Sequence, residues 1–461
     1  MTGNFVLTEM PHNADIQMMK KNSKAILLIL TICIFSPFSL TAKVPDVLSI
    51  PDSSEIRKNA LESWLLAPKS ELAAKESQNL ITSYGQVFQI KSEVTESEII
   101  ISIAPRKEDY TFDYTAAGSW RLVKNAETET MKEVRFFFLN DPNIYIRLLP
   151  DKQPDRPKVR ADLIIYNSYV ARNIPVGLQF EDILTLSFSE LYELTYDVIP
   201  WDYVKFDPRK YGNNQYMISE IRKNLPRFKY LQDTCYDENT NPVTISTNEP
   251  RSKTPGKLGV DESGFTKWVA DGITYNLNEH YLRVEPLKRH TVNVQNTMYE
   301  PPEIDLQVFA SLNWTRNLAA ALISAATDKD FDAITAGTDV LVEPFSSVTS
   351  NDNSGVRKNV GYIKNTGYDI SMLKSLFFVL ASTEPDMFYF GAIKTRDEKF
   401  PEQWVFSHEA VFFPYFDKSG ICQIAVFECG VETDFETFVN NNPDTFVHLV
   451  RAKATDNFMP Y

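Results

Sequence analysis

Between residues 86 and 166 the chain repeatedly alternates apolar and polar positions, or runs apolar, over short stretches. Gln86–Ile90, Glu98–Ala104, Ser119–Lys124, Glu133–Leu139, Ile144–Leu149 and Ala161–Tyr166 therefore read as strands. The break Asp141-Pro142-Asn143 predicts a hairpin, and the Pro- and charge-rich stretch Pro150 to Lys158 a loop. Asp52–Leu66 reads as a helix with Ile56, Leu61, Leu65 and Leu66 on its apolar side, and Glu181–Leu194 as a second. Pro200-Trp201 begins a connection. Residues 43–205 are thus expected to form a β-rich domain, with a sandwich as its candidate architecture. They carry no recognisable chemistry.

A different pattern follows in residues 206–461. Ile218 to Leu231 has helical spacing but contains Pro226, which weakens a helix. Ser263 to Asp271 puts Phe265, Trp268 and Val269 on one face, and Gly272 offers a helix stop. Trp314 to Ala326 is strongly amphipathic. Thr338–Phe345 reads as a strand, Ser346–Ser354 as a polar loop, and Met372–Ala381 as either a helix or a buried strand. Thr445–Ala452 is a last strand, in which His448 is expected to be structural.

Composition narrows the function. The net charge of −14 disfavours a nucleic-acid or anionic-membrane role. No P-loop, dinucleotide glycine motif or metal-spaced Cys/His set is present, so neither a metal nor another cofactor is expected. Lys20, Lys21 and Lys24, the apolar run Ala25 to Phe35, and Ser39-Leu40-Thr41-Ala42 form a secretory signal peptide over residues 1–42, with Met18 or Met19 as alternative starts. Its core is shorter than the roughly 20 residues that span a bilayer. The mature chain is expected to be exported to the periplasm or cell envelope, with no integral membrane span. Leu30-Thr31-Ile32-Cys33 has the rough shape of a lipoprotein cleavage box, but Ile32 is bulky there, which favours cleavage after Ala42. Three cysteines follow, Cys235, Cys422 and Cys429, an odd number. Cys422 and Cys429 lie too far apart on an extended strand to bridge each other.

The most informative stretch is Gly259-Val260-Asp261-Glu262-Ser263-Gly264-Phe265. It resembles the nucleophile motif of the NlpC-type cell-wall cysteine peptidases, Gly-Val-Asp-Cys-Ser-Gly-Phe, with Glu262 at the cysteine position. Downstream, Pro385-Asp386-Met387-Phe388-Tyr389-Phe390-Gly391 resembles the family's Pro-Gly-Asp strand without its glycine. Ser407-His408-Glu409-Ala410-Val411-Phe412-Phe413 resembles the strand that carries the family's histidine. Gly420 to Glu428 resembles the strand after it. The resemblance is patchy, covers roughly residues 215 to 452, and needs an insertion between Glu262 and His408. It implies an α+β architecture, a β-rich N-terminal domain followed by a papain-like domain at 206–461.

The resemblance also implies site residues. Glu262 stands for the nucleophile, His408 for the base and Glu428 for the group that orients the imidazole. Asp261, Ser263 and Tyr236 would line the substrate. Glu262 and His408 would form an ion pair that disarms both. A carboxylate suits a helix N-terminus electrostatically, but it is a poor nucleophile towards amides. The expectation is a secreted, degenerate peptidase that binds peptidoglycan stem peptides or regulates, without cutting. Two alternatives stay open. One is an active hydrolase with a non-cysteine nucleophile, Ser263 being the candidate. The other is a structural envelope protein with its groove filled by Trp404 or the insertion.

Overall fold

The computed structural model describes residues 50–151, 158–291, 312–347, 361–398, 401 and 404–461. The signal peptide expected at 1–42 lies outside them, as does most of the loop expected at Ser346–Ser354. All the described residues fall in one compact unit, 45–461. The architecture is mixed α+β.

The chain opens with helix α1 (Ser54–Asn59), a π-helical turn at Leu61–Leu65 and a short helix α2 (Lys69–Leu72). Eight strands follow: β1 (Gln78–Ile81), β2 (Val87–Val94), β3 (Glu98–Pro105), β4 (Trp120–Asn125), β5 (Met131–Phe137), β6 (Ile144–Pro150), β7 (Lys158–Ile165) and β8 (Ser168–Gln179). They form a single antiparallel meander in sequence order. The sandwich expectation is therefore corrected. The inner face of this sheet is covered by helices, not by a second sheet of the same domain. Arg57 shows how one of these helices is fixed. Its buried guanidinium lies over Trp120 and Phe136 and donates to the Leu184 and Leu186 carbonyls at 2.9 and 2.7 Å. Helix α3 (Phe188–Thr195) starts later than the periodicity suggested. Ser187 and Glu190 make a reciprocal capping box there, which sets the first turn.

Helix α4 (Gly212–Asn224) ends just ahead of Pro226, which sits in a 3₁₀ turn. Phe228 and Leu231, read as helical, lie beyond it, and Phe228 begins strand β9 (Phe228–Tyr230). Strands β10 (Thr234–Tyr236), β11 (Pro242–Thr244) and β12 (Leu258–Val260) lead into helix α5 (Glu262–Asn278). Gly272 does not stop that helix. It sits in the middle of it because a Cβ there would lie 2.3 Å from the Phe458 ring.

Helix α6 (Trp314–Thr327) matches its expected span closely. The strand expected at Thr338–Phe345 is absent apart from a single bridge, Asp339 to Val450. Short strands β13 (Tyr362–Ile363) and β14 (Gly367–Asp369) precede helix α7 (Leu373–Thr383), which settles the helix-or-strand ambiguity at Met372–Ala381. Then come β15 (Met387–Arg396), β16 (Trp404–Phe416), β17 (Cys422–Glu428), β18 (Val431–Thr433), helix α8 (Phe435–Asn441) and β19 (Phe446–Lys453). The second sheet has the order β13-β14-β19-β15-β16-β17-β18.

Two hydrophobic clusters divide the packing. One joins the inner face of the first sheet, α1, α3 and α7 to one face of the second sheet, through Ala410, Phe412 and Val426. Helix α7 lies between the two sheets; Ser375 on it donates to the Ile165 carbonyl at 2.8 Å. The other cluster packs α4, α5 and α6 on the opposite face of the second sheet, against Phe388, Phe390, Val411, Phe413 and Phe427. Strands β15 and β16 are therefore buried on both faces. Each fully buried Phe or Leu contributes roughly 1.5–3 kcal/mol.

Candidate functional site

The motif Gly259 to Phe265 forms the junction of β12 and α5. Asp261 is the helix N-cap and accepts from the Gly264 amide at 2.8 Å. Gly264 is needed because a Cβ would lie 2.2 Å from the Thr234 carbonyl oxygen, where the helix start presses on β10. Glu262 opens the first turn. Burial raises Asp261 to about 7, and the neighbouring carboxylates of Glu262 and Asp233 add to the rise. The Gly264 amide opposes it.

The side chain that faces this tip from the sheet is Glu409, not His408. Odd-numbered Val411 and Phe413 pack under α5, while even-numbered Ala410 and Phe412 pack under α7. His408 pairs across the sheet with Ile393, which also belongs to the α7 side. A one-residue step along a strand reverses the face. His408 therefore points away from Glu262, and the expected ion pair between them does not form. Instead His408 Nε2 lies 3.4 Å from Glu428, on the face away from α5. The predicted contact of His408 with Glu428 is present, but the pair stands apart from the helix tip. Burial pushes Glu428 up, but hydrogen bonds from His408 and Thr433 outweigh it and leave the carboxyl below its usual range.

Glu409 is buried and accepts from Ser263 Oγ at 2.9 Å. Burial raises it to about 8; the Ser263 bond opposes the rise, and the charges of Asp261 and Glu262 increase it. It is held mainly as a neutral acid at pH 7. Ser263 is thus aimed at the sheet. Cys429 is also at the tip. Its Sγ lies 3.4 Å from the Val260 carbonyl, and burial, with Glu262 and Asp261 nearby, pushes the thiol up to about 12. Cys235 is raised to about 12 as well, chiefly by burial. Neither is a ready thiolate nucleophile. All three described cysteines are free. Tyr236 does not line the tip; it is buried in the core, its ring 5.2 Å from that of Tyr461.

Across the sheet Glu409 is level with Ala392, and Ala392 with His448. The N-terminus of α6 sits over this row. Trp314 Nε1 donates to the Ser263 carbonyl at 3.0 Å, so the buried indole joins the two helix tips. Asn313, the N-cap of α6, contacts His448 Nδ1 at 3.1 Å, and Asp339 lies 3.7 Å from Nε2. Burial drives His448 down to about 3; Asp339 opposes, and Arg316 and Lys394 add to the fall. His448 is a neutral packing residue. Four clefts among the described residues lie elsewhere. One of about 510 Å³ is bounded by α6 and by Tyr281, Arg283 and Phe331; none of these four is lined by Glu262, Ser263, His408 or Glu409. Among the described residues no cluster of His, Cys, Asp and Glu is arranged to hold a metal, and no helix is long and apolar enough to cross a membrane.

A family model described as a domain of unknown function (DUF8515) matches residues 46–203. The matched stretch contains the whole first sheet and ends before α4, so it does not reach the motif at 259–265. No curated protein and no solved structure matches the chain.

Proposed function

We propose that the chain is an exported cell-envelope protein whose C-terminal half derives from the NlpC-type, papain-like cysteine peptidases and binds cell-wall peptide without hydrolysing it. The order helix α5, β15, β16, β17 supports the relation. The absence of turnover rests on one observation. The group that β16 turns to the helix tip is Glu409, a buried neutral acid engaged by Ser263, where the reaction needs an imidazole base. With Glu262 at the nucleophile position and Trp314 seated across the tip, the site lacks both halves of a thiol mechanism.

The test is incubation with purified peptidoglycan sacculi, followed by chromatography for released stem peptides and sedimentation for retained protein. Sedimentation with the sacculi and no release are expected. Glu262→Cys alone stays inert, because His408 faces the other side; any activity gained requires Glu409→His as well. Release by the wild-type chain would overturn the reading.

A second reading has one contact in its favour. Ser263 and Glu409 lie at hydrogen-bond distance, and a carboxylate raised towards neutrality is a suitable base for a hydroxyl nucleophile. Peptide release by the wild type that Ser263→Ala abolishes would put this hydrolase in place of the binding protein.

A further inference from the structure

The outer face of the first sheet, opposite its helix-covered core, carries a ladder of cations. Register places Lys91, Ser102, Arg121, Arg135, Arg147 and Asp162 side by side across β2 to β7. Like charges directly opposite on neighbouring strands are destabilising. Three adjacent guanidiniums therefore need compensation, and most of it is visible. Arg135 Nε donates to Glu133 at 2.6 Å, Arg147 donates to Asp162 at 2.7 Å, and Lys91 reaches Glu93 at 2.5 Å. The rings of Phe137, Tyr145 and Tyr169 lie under Arg121, Arg135 and Arg147.

Arg121 breaks the pattern. Among the described residues it has no carboxylate at ion-pair distance, and its Nε finds no acceptor. Arg172 is the second such cation on this face. It is exposed over the Tyr169 ring, also without a carboxylate partner. The two stand four strand steps apart, roughly 19 Å at about 4.8 Å per step. Glu93 and Glu133 act on Arg121 only through space, so Arg121 and Arg172 are the cations of this ladder without a carboxylate at ion-pair distance, on a chain whose net charge is −14.

We infer that this face docks an extended acidic peptide segment of a partner protein, whose Glu or Asp carboxylates complete the ladder at Arg121 and Arg172. The ladder's own guests are side-chain carboxylates, so the partner repeats the chemistry of its neighbours. An extended segment of about six residues covers the distance, at roughly 3.3 Å per residue. The guanidiniums already cap the aromatic rings, which leaves no stacking platform for nucleic-acid bases.

The experiment is fluorescence polarisation with a fluorescein-labelled oligoglutamate. Alginate and an oligothymidylate serve as competitors, and Arg121→Gln, Arg172→Gln and Lys418→Gln as variants. Lys418 is exposed and lies off the ladder. Binding at low salt that weakens as salt rises is expected. Arg121→Gln and Arg172→Gln each weaken it about tenfold, as loss of a charge contact across an interface does, while Lys418→Gln leaves it within about twofold. Arg172 is on the surface, so its variant reports on docking even where Arg121→Gln lowers stability. The inference is overturned by no binding at low salt, by equal affinity in the Arg172→Gln and wild-type proteins, by an equal loss in Lys418→Gln, or by alginate or the oligothymidylate competing better than unlabelled oligoglutamate.

Discussion

The two faces of strand β16 carry adjacent ionisable residues with opposite fates. His408 and Glu428 pair at 3.4 Å on the α7 side and keep partial access to solvent, each side chain being 23% exposed. Glu409, one position along, is buried beneath the α5 tip and kept neutral. Water still screens the first pair, which limits its contribution to stability. The second site has lost its water, so the charged form is penalised and the neutral form becomes structural. Chemical identity along a motif matters less here than the face on which the strand presents each residue.

That contrast breaks most visibly with pH. The unfolded-state value for Glu409 is near 4.5 and the folded value about 8. Between them the folded protein binds more protons, so stability falls as pH rises and levels off above about 8. At about 1.4 kcal/mol per unit the loss from this residue is on the order of 5 kcal/mol. Glu409→Gln should flatten this alkaline limb in thermal melts from pH 5 to 9. An unchanged slope would show that Glu409 is not the titrating group.

Removing the hydroxyl above it is the next largest effect. Ser263→Ala leaves the buried Glu409 carboxyl without its donor and should cost about 1–3 kcal/mol in urea unfolding at pH 7. Glu428→Gln is the smallest. Its pair is partly exposed, so a loss below about 1 kcal/mol is expected, shrinking further in high salt. Its folded value is lowered, so its contribution is present above the unfolded carboxylate range and fades as pH falls through the folded one. A Glu428→Gln cost equal to that of Ser263→Ala would remove the distinction between the faces.

Much of the fold was legible where one side of an element meets water. Trp314–Thr327 and strands β2 to β7 followed their periodicity because an alternating or helical stripe has one solution. Strand β8 escaped because Arg172 and Asn173 interrupt its apolar pattern, and three register shifts bend it against β7. In β16 the run Ala410-Val411-Phe412-Phe413 is apolar on both faces, so no alternation shows which residues meet the helix. The motif letters placed His408 at the tip; packing placed Glu409 there. Val411 and Phe413 held the missing signal, since whichever pair met Phe265 and Trp268 would decide the face, but that contact is tertiary. At Gly272 the same limit applies. A glycine that admits the Phe458 ring looks in sequence like one that ends a helix.

Helix α7 has an implication for modular inheritance. Its Ser375 and Phe378 meet the β7–β8 end of the first sheet, yet it lies in the chain after residues 259–265 and outside the matched residues 46–203. A fragment ending at Tyr203 would leave that surface open to water and to aggregation. The meander can move intact to another protein only where the new neighbour supplies a comparable apolar wedge.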